Sequence, residues 1–166
     1  MKSVYNLGII GFGGMGTHHY KELINHSRIK VKGVFDVDEK RQIAAKDYGL
    51  IAYSSKEELL NDKDIDLVLV ATTNEVHKEL SIEAMKYGKH VICEKPVTLN
   101  SAELEEVIAA SKEYGKVFTV NQNRRTNKDF VLMKRCVEQG MLGDVYVIES
   151  RVEGSRGMPK GWRTIK

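Results

Sequence analysis

No CxxC pair and no Cys/His run of metal-ligand spacing occurs in this chain of 166 residues, and its two cysteines, Cys93 and Cys136, stand far apart. Neither a zinc centre nor a disulfide framework is expected, and both thiols read as small buried residues in a reducing cytoplasm. No apolar stretch approaches the roughly 20 residues that cross a bilayer. The first strand begins almost at the N-terminus, so the chain reads as soluble and cytoplasmic, with no membrane partner. Charge of one sign is also scarce: the formal net charge is +3 and is spread along the chain. No Lys/Arg block is interleaved with aromatics, which argues against nucleic acid as a partner. Internal repeats and low-complexity segments are missing too. With 42% hydrophobic and 30% charged residues, one good core and the beginning of a second are expected.

What is present starts with the apolar run Val4 to Ile10, followed at once by Gly11, Gly13 and Gly16 in GxGxxG spacing. Asp36 ends the next apolar run about twenty residues further on. A lone GxGxxG is weak, because glycine turns arise for purely structural reasons. Strand, glycines, helix, strand and acid in this order point instead to a dinucleotide site. The first glycine lets the chain turn sharply, the second leaves room for a pyrophosphate at the backbone, and the third lets the helix pack close to the strand. The anion then rests on free N–H groups at the helix start. Asp36 is placed to accept hydrogen bonds from an adenosine ribose and to repel a 2′-phosphate, which favours NAD over NADP; its bland role is a strand-ending turn residue. Lys40 and Arg41 lie close enough in sequence to accommodate a phosphate, so NADP stays open.

Further along, apolar runs alternate with amphipathic stretches. Strands are expected over 4–10, 29–35, 50–53, 66–71, 90–93 and 117–121, and helices over 14–26, 39–48, 56–61, 76–87 and 101–114. Met15, Tyr20, Leu23 and Ile24 form the inward face of the first helix. Gly49, Gly88 and Gly115 close three helices, and Ser54 or Ser55 caps the short one with Glu57 or Glu58 reaching back. The fold class is α/β: a doubly wound parallel Rossmann sheet, helices on both faces, with a ligand crevice at the strands' C-terminal ends. After Asn121 the composition turns polar through Gln122 to Asn127. A helix over 128–139, a last strand over 145–152 with two half-apolar faces, and a glycine-rich loop over 154–163 are expected next. Residues 1–121 read as a dinucleotide-binding domain and 122–166 as the incomplete start of an α+β second domain.

Glu94-Lys95-Pro96 follows the fifth strand directly, at the lip of the crevice. A surface lysine is usually just solvated. An ammonium beside a reacting carbinol can instead stabilise developing alkoxide charge or pass a proton.

With these residues the chain resembles the Gfo/Idh/MocA oxidoreductases along essentially its whole length. The matching motifs are Gly8-Ile9-Ile10-Gly11-Phe12-Gly13-Gly14-Met15-Gly16, Ala71-Thr72-Thr73-Asn74-Glu75-Val76-His77, Glu94-Lys95-Pro96, Gln122-Asn123-Arg124-Arg125 and Gly143-Asp144-Val145. The resemblance implies that cofactor contacts come from the glycine loop (Gly11, Phe12, Gly13, Gly14, Met15, Gly16), from Asp36, and from Ala71, Thr72, Thr73, Asn74, His77, Glu94, Lys95 and Asn123. It makes Lys95 the active-site lysine, with Glu94 orienting its loop or meeting the cofactor ribose. His77 caps the next helix or touches the cofactor; its bland alternative is a helix-start histidine satisfied by backbone. Pro96 often follows a cis peptide in similar proteins. Arg124 and Arg125 are interdomain or substrate-side contacts, or else salt-bridging residues. Two departures stand out: Thr73 replaces the usual proline, and Thr126 stands where close relatives often carry an aromatic residue.

The resemblance further implies a family length roughly twice this one. It places a glycine-rich stretch with an aspartate and a histidine, completing the catalytic site, after Trp162-Arg163. The expected function is an NAD(P)-dependent dehydrogenase oxidising a secondary hydroxyl of a sugar, inositol or related polyol. The full-length protein is expected to be a homo-oligomer and this fragment to be inactive alone. A non-catalytic NAD(P)-binding sensor or regulatory protein is the alternative. A phosphate-binding module without redox chemistry fits poorly with Asp36 and Glu94-Lys95-Pro96 together.

Overall fold

Six strands of this chain pair into one sheet, seen in a computed structural model that describes residues 2–151. They are β1 (Tyr5–Ile10), β2 (Ile29–Phe35), β3 (Ile51–Ala52), β4 (Leu67–Val70), β5 (His90–Cys93) and β6 (Phe118–Val120). The spatial order is β3-β2-β1-β4-β5-β6, and every neighbouring pair is parallel. Parallel neighbours need a crossover rather than a hairpin. The helices α1 (Gly14–Leu23), α2 (Glu39–Asp47), α3 (Lys56–Asn61), α4 (His77–Lys86) and α5 (Ser101–Glu113) supply it. The chain winds outward from β1 to β3 and then returns to place β4 against the other side of β1. That reversal is the topological switch point at which open α/β sheets bind ligands, outside the strands' carboxyl ends.

Two apolar layers flank the sheet. Leu7, Ile9, Val34 and Leu69 pack against Tyr20 of α1 and Ala45 of α2. On the other side Ile10, Val68, Val70, Val91 and Cys93 pack against Leu59 and Leu60 of α3, Ala84 and Met85 of α4, and Val107 and Ala110 of α5. Strands covered on both faces need apolar residues at every position, which is why they read as continuous hydrophobic runs.

Local chemistry sets the ends of the elements. Ser55 Oγ accepts the Glu58 amide at 3.1 Å and the Glu58 carboxylate reaches back to the Ser54 amide at 2.7 Å, which resolves the expected cap of α3. The first helix stops at Leu23 rather than His26, because the His26 imidazole accepts the Arg28 and Ile29 amides and steers the chain into β2. Ile24, expected on the inward face, is 61% exposed as a result. The third strand is shorter than 50–53, since only Ile51 and Ala52 find partners, Gly33 and Val34 at the sheet's edge.

The chain's contacts divide it after Gln122. The second unit contains a 3₁₀ turn, Asn123–Thr126, and α6 (Lys128–Glu138). The strand expected over 145–152 is not present at 145–151. Alternating half-apolar residues supply the faces of a strand, but a strand also needs a ladder partner, and none lies beside this segment among the described residues. Tyr146 is 94% exposed there. Val152 and the glycine-rich stretch at 154–163 lie outside the described residues. No helix among the described residues is long and apolar enough to cross a membrane.

Candidate functional site

One row of hydrogen bonds crosses the sheet at its C-terminal edge. The Phe35 carbonyl accepts the Gly11 amide, Ile10 accepts Ala71, Val70 accepts Glu94, and Cys93 accepts Asn121, all at 2.8–2.9 Å. Each bond extends a parallel ladder one residue past its strand. Together they fix the starts of the glycine loop, the Ala71 loop, the Glu94-Lys95-Pro96 loop and the turn after β6 side by side.

The three motif glycines are used differently. Gly11 has φ +93°, and a Cβ there would lie 2.6 Å from the Ala71 carbonyl oxygen. At Gly16 a Cβ would fall 2.1 Å from the Gly11 oxygen. Both positions therefore exclude a side chain for reasons of packing. Around Gly13 a Cβ would meet only the Arg41 guanidinium, at 3.0 Å, and around Gly14 nothing within 4 Å. Gly13 also makes no side-chain cap at the start of α1, so the orphan amides of that first turn are left for another acceptor. Phe12 turns its ring inward against Tyr20 and Tyr48, with centroids 6.2 and 6.3 Å away, so only its backbone lies at the loop. Met15 is half-buried on the first turn.

Asp36 follows β2 and is only 4% exposed. Its Oδ2 accepts the Phe12 amide at 2.6 Å and Arg41 Nη1 at 3.3 Å, and its Oδ1 accepts the Asp38 amide at 2.9 Å. The last bond is an Asx turn. The carboxylate thus pins the glycine loop to the end of β2 and shapes the entry to α2.

Past β4, Ala71, Thr72 and Asn74 are half-buried and Thr73 is exposed; a 3₁₀ turn, Asn74–Val76, leads into α4. His77 is 1% exposed and lies between two loops, Nδ1 2.8 Å from the Pro96 carbonyl oxygen and Nε2 3.2 Å from that of Thr72. Both partners are carbonyl oxygens, which only accept, so a ring nitrogen that carries a proton donates to the one it faces. The ring makes no cap at α4. It instead ties the Thr72 loop to the Pro96 loop.

Glu94 is 3% exposed. Its Oε1 lies 2.6 Å from His19 Nε2 and accepts Asn121 Nδ2 at 2.7 Å, while Oε2 accepts the Lys95 amide at 3.2 Å. Burial opposes its charge most strongly, but the hydrogen bonds of His19, Asn121 and the Lys95 amide together outweigh it and hold the carboxyl below its ordinary range. The Lys95–Pro96 peptide is cis. Lys95 itself is exposed, and its ammonium has no hydrogen-bond or ion-pair partner among the described residues. Beneath it Cys93 is buried, which pushes its thiol up to about 11 and makes it a core residue rather than a nucleophile. Cys136, expected to be buried, is half-buried. Among the described residues no cluster of three His, Cys, Asp or Glu could hold a metal ion.

Asn123 opens the 3₁₀ turn of the second unit, where it is exposed and its carbonyl accepts the Thr126 hydroxyl at 2.9 Å. Arg124 and Arg125 are exposed in the same turn. Sequence reasoning passed over His19 and Asn121. The only local signals were a histidine one turn after Gly16 and an asparagine ending an apolar run.

Residues 5–122 match the Gfo/Idh/MocA oxidoreductases, a family with an NAD-binding Rossmann fold. An inositol 2-dehydrogenase of Salmonella paratyphi B is 32% identical over 158 residues, which cover 92% of this chain and 47% of the relative. Among solved structures, an NAD-binding protein from Listeria innocua is 44% identical with a TM-score of 0.92, over 98% of this chain and 48% of that one. The WlbA dehydrogenase of Chromobacterium violaceum, solved in complex with NADH and UDP-GlcNAcA, is 26% identical with a TM-score of 0.81, over 86% of this chain and 42% of that one. The chain spans about half the length of the curated relatives it matches.

Proposed function

Since this chain belongs to the Gfo/Idh/MocA oxidoreductase family, whose NAD-binding Rossmann fold it carries over residues 5–122, we propose that it is the cofactor-binding part of an NAD(P)-dependent dehydrogenase. The substrate is a secondary hydroxyl of a sugar, inositol or related polyol, oxidised to a ketone. The observation that carries this reading is the row of ladder bonds that aligns Gly11, Ala71 and Glu94 along one sheet edge, with Asp36 one residue past Phe35.

Fit to a dinucleotide rests on three features. The open backbone at Gly14, and at Gly13 once the flexible Arg41 side chain moves aside, leaves room for a pyrophosphate over uncapped helix amides. Asp36 keeps acceptor capacity at the end of β2, where an adenosine ribose is read. The Ala71, Thr72, Thr73 and Asn74 loop and the Glu94-Lys95-Pro96 loop, tied together by His77, border the nicotinamide half. When bound, the nicotinamide supplies a hydride acceptor.

Lys95 holds its ammonium beside the substrate oxygen and stabilises the negative charge that develops there as the carbinol C–H bond breaks. Glu94 fixes the direction of the lysine by gripping its amide, while His19 and Asn121 keep the carboxylate in place. Among the described residues Lys95 is the one that touches reacting atoms in this reading. A proton acceptor comes from the aspartate and histidine that the resemblance places after Trp162-Arg163, so Lys95 without them does not turn over substrate. The unpartnered lysine at the crevice favours an enzyme over a non-catalytic NAD(P) sensor. Titration of NADH into the chain, with G13V as the blocked control, tests the cofactor assignment: binding that G13V abolishes supports it, and no binding refutes it.

A further inference from the structure

Past the Glu94 amide, which bonds the Val70 carbonyl, no backbone–backbone hydrogen bond holds residues 94–97 among the described residues. Every other hydrogen bond of that turn's backbone ends on a side chain. Glu94 Oε2 accepts the Lys95 amide at 3.2 Å, and His77 Nδ1 stands 2.8 Å from the Pro96 carbonyl oxygen. The Cys93 thiol serves two further groups: Sγ donates to the Glu94 carbonyl at 3.4 Å and lies 4.0 Å from that of Val97. The direction of the exposed Lys95 side chain rests on these contacts.

Cys93 is fully buried at the end of β5, and packing alone would accept an apolar residue of similar volume there. Two observations set it apart from its apolar neighbours. It is the one partner that the Glu94 and Val97 carbonyls have among the described residues, and a buried carbonyl left without a donor is costly. Ser81, on α4 one turn after His77, is also buried, and its hydroxyl has no partner of ordinary hydrogen-bond geometry. That hydroxyl stands close enough to the thiol to offset part of the upward push that burial gives it. His77 and Ser81, four residues apart, share one face of α4. With Cys93 they form a polar seam under the Lys95 loop, set into an otherwise apolar layer.

Given the dehydrogenase reading above, on which this rests, we propose that Cys93 is a positioning residue for Lys95, its thiol proton holding the turn from Glu94 to Val97 in the shape that aims the lysine at the reacting oxygen. The sulfur touches neither cofactor nor substrate and stays a thiol throughout. A turn released from it moves the lysine's backbone, and the nicotinamide half of the site, which this loop borders, loosens with it. The adenosine half, built by the glycine loop and Asp36, keeps its own bonds.

The test is titration calorimetry of the whole 166-residue chain with NADH and with ADP-ribose, which lacks the nicotinamide, for the parent, C93V and C93S. Valine fills the space and removes the donor, whereas serine keeps a donor and loses apolar contact. A core role alone therefore makes serine the worse variant, and the positioning role makes it the better one. C93V weakens NADH by about threefold to tenfold and ADP-ribose by less than about twofold, while C93S stays within about twofold of the parent for both. C93A, also without a donor, shows the same split and carries the comparison should C93V fail to fold. Three results overturn the assignment while leaving the dinucleotide site intact: NADH affinity in C93V equal to the parent's, equal losses of NADH and ADP-ribose, or C93S as weak toward NADH as C93V. A parent that binds neither ligand removes the site itself, and this assignment with it.

Discussion

His19 Nε2 and Glu94 Oε1 lie 2.6 Å apart, linking α1, one turn after the glycine loop, to the loop that presents Lys95. The glycine loop's helix and the Glu94-Lys95-Pro96 loop are thereby joined through a single buried carboxylate. Asn121, at the end of β6, donates to the same oxygen and closes the arrangement from the far side.

Removing that charge has a defined stability cost. At neutral pH, E94Q should lower unfolding free energy by about 1–3 kcal/mol, the usual range when a buried charged acceptor loses its role. Because the folded Glu94 carboxyl sits below its unfolded value near 4.5, its contribution is complete above that value and is lost as pH falls through the lower, folded one. Urea unfolding of parent and E94Q across pH 7 to 3 should therefore show a gap that narrows only below about pH 4.5. A gap independent of pH would assign the loss to packing.

The glycines separate into those the fold needs and those a ligand needs. G16A puts a Cβ 2.1 Å from the Gly11 oxygen, and backbone overpacking of this kind should cost about 1–3 kcal/mol or more. At Gly14, open within 4 Å, G14A should leave stability unchanged or slightly raised, because alanine is the better helix former. Thermal melts of the two variants distinguish them, and equal melting temperatures would contradict the packing described.

Thiol chemistry reports on the core. With Cys93 buried and its thiol pushed up to about 11, only about one thiol in a thousand is ionised at pH 8. Titration with a chromogenic disulfide should modify Cys136 in the native chain and Cys93 only after unfolding. Fast modification of both would place Cys93 outside the core.

Much of this was legible in the sequence, for physical reasons that particular residues show. The continuous runs at Leu7–Ile10 and Leu67–Val70 mark strands buried on two faces, and the glycine loop with Asp36 marks the crevice. What stayed hidden depends on contacts distant in sequence. His19 and Asn121 meet at one carboxylate although 102 residues separate them, and no local period encodes that. His77 stands at a helix start with no local signal for its partners, and only the folded chain sets it against the Pro96 and Thr72 carbonyls. The segment at 145–151 carries a strand's alternation without a neighbour to pair with among the described residues.

Lys95 should matter to chemistry and not to folding. Among the described residues its exposed side chain has no hydrogen-bond or ion-pair partner, so K95A should melt at the parent's temperature. In the full-length dehydrogenase proposed above, the same change should lower kcat by roughly 10²–10⁴-fold, as when a positioned acid–base group is removed. Near-normal turnover would return the lysine to the solvated surface.

The central claim is that the edge formed by Gly11, Asp36, Ala71 and Glu94 binds a dinucleotide, and calorimetric titration of NADH into the parent and D36N tests it most directly. Asparagine keeps an acceptor oxygen for the Phe12 or Asp38 amide but loses the charge that receives the ribose hydroxyls. The account predicts saturable binding to the parent and a weakening in D36N of about tenfold or more. No heat with the parent, or equal affinity in D36N, would contradict it.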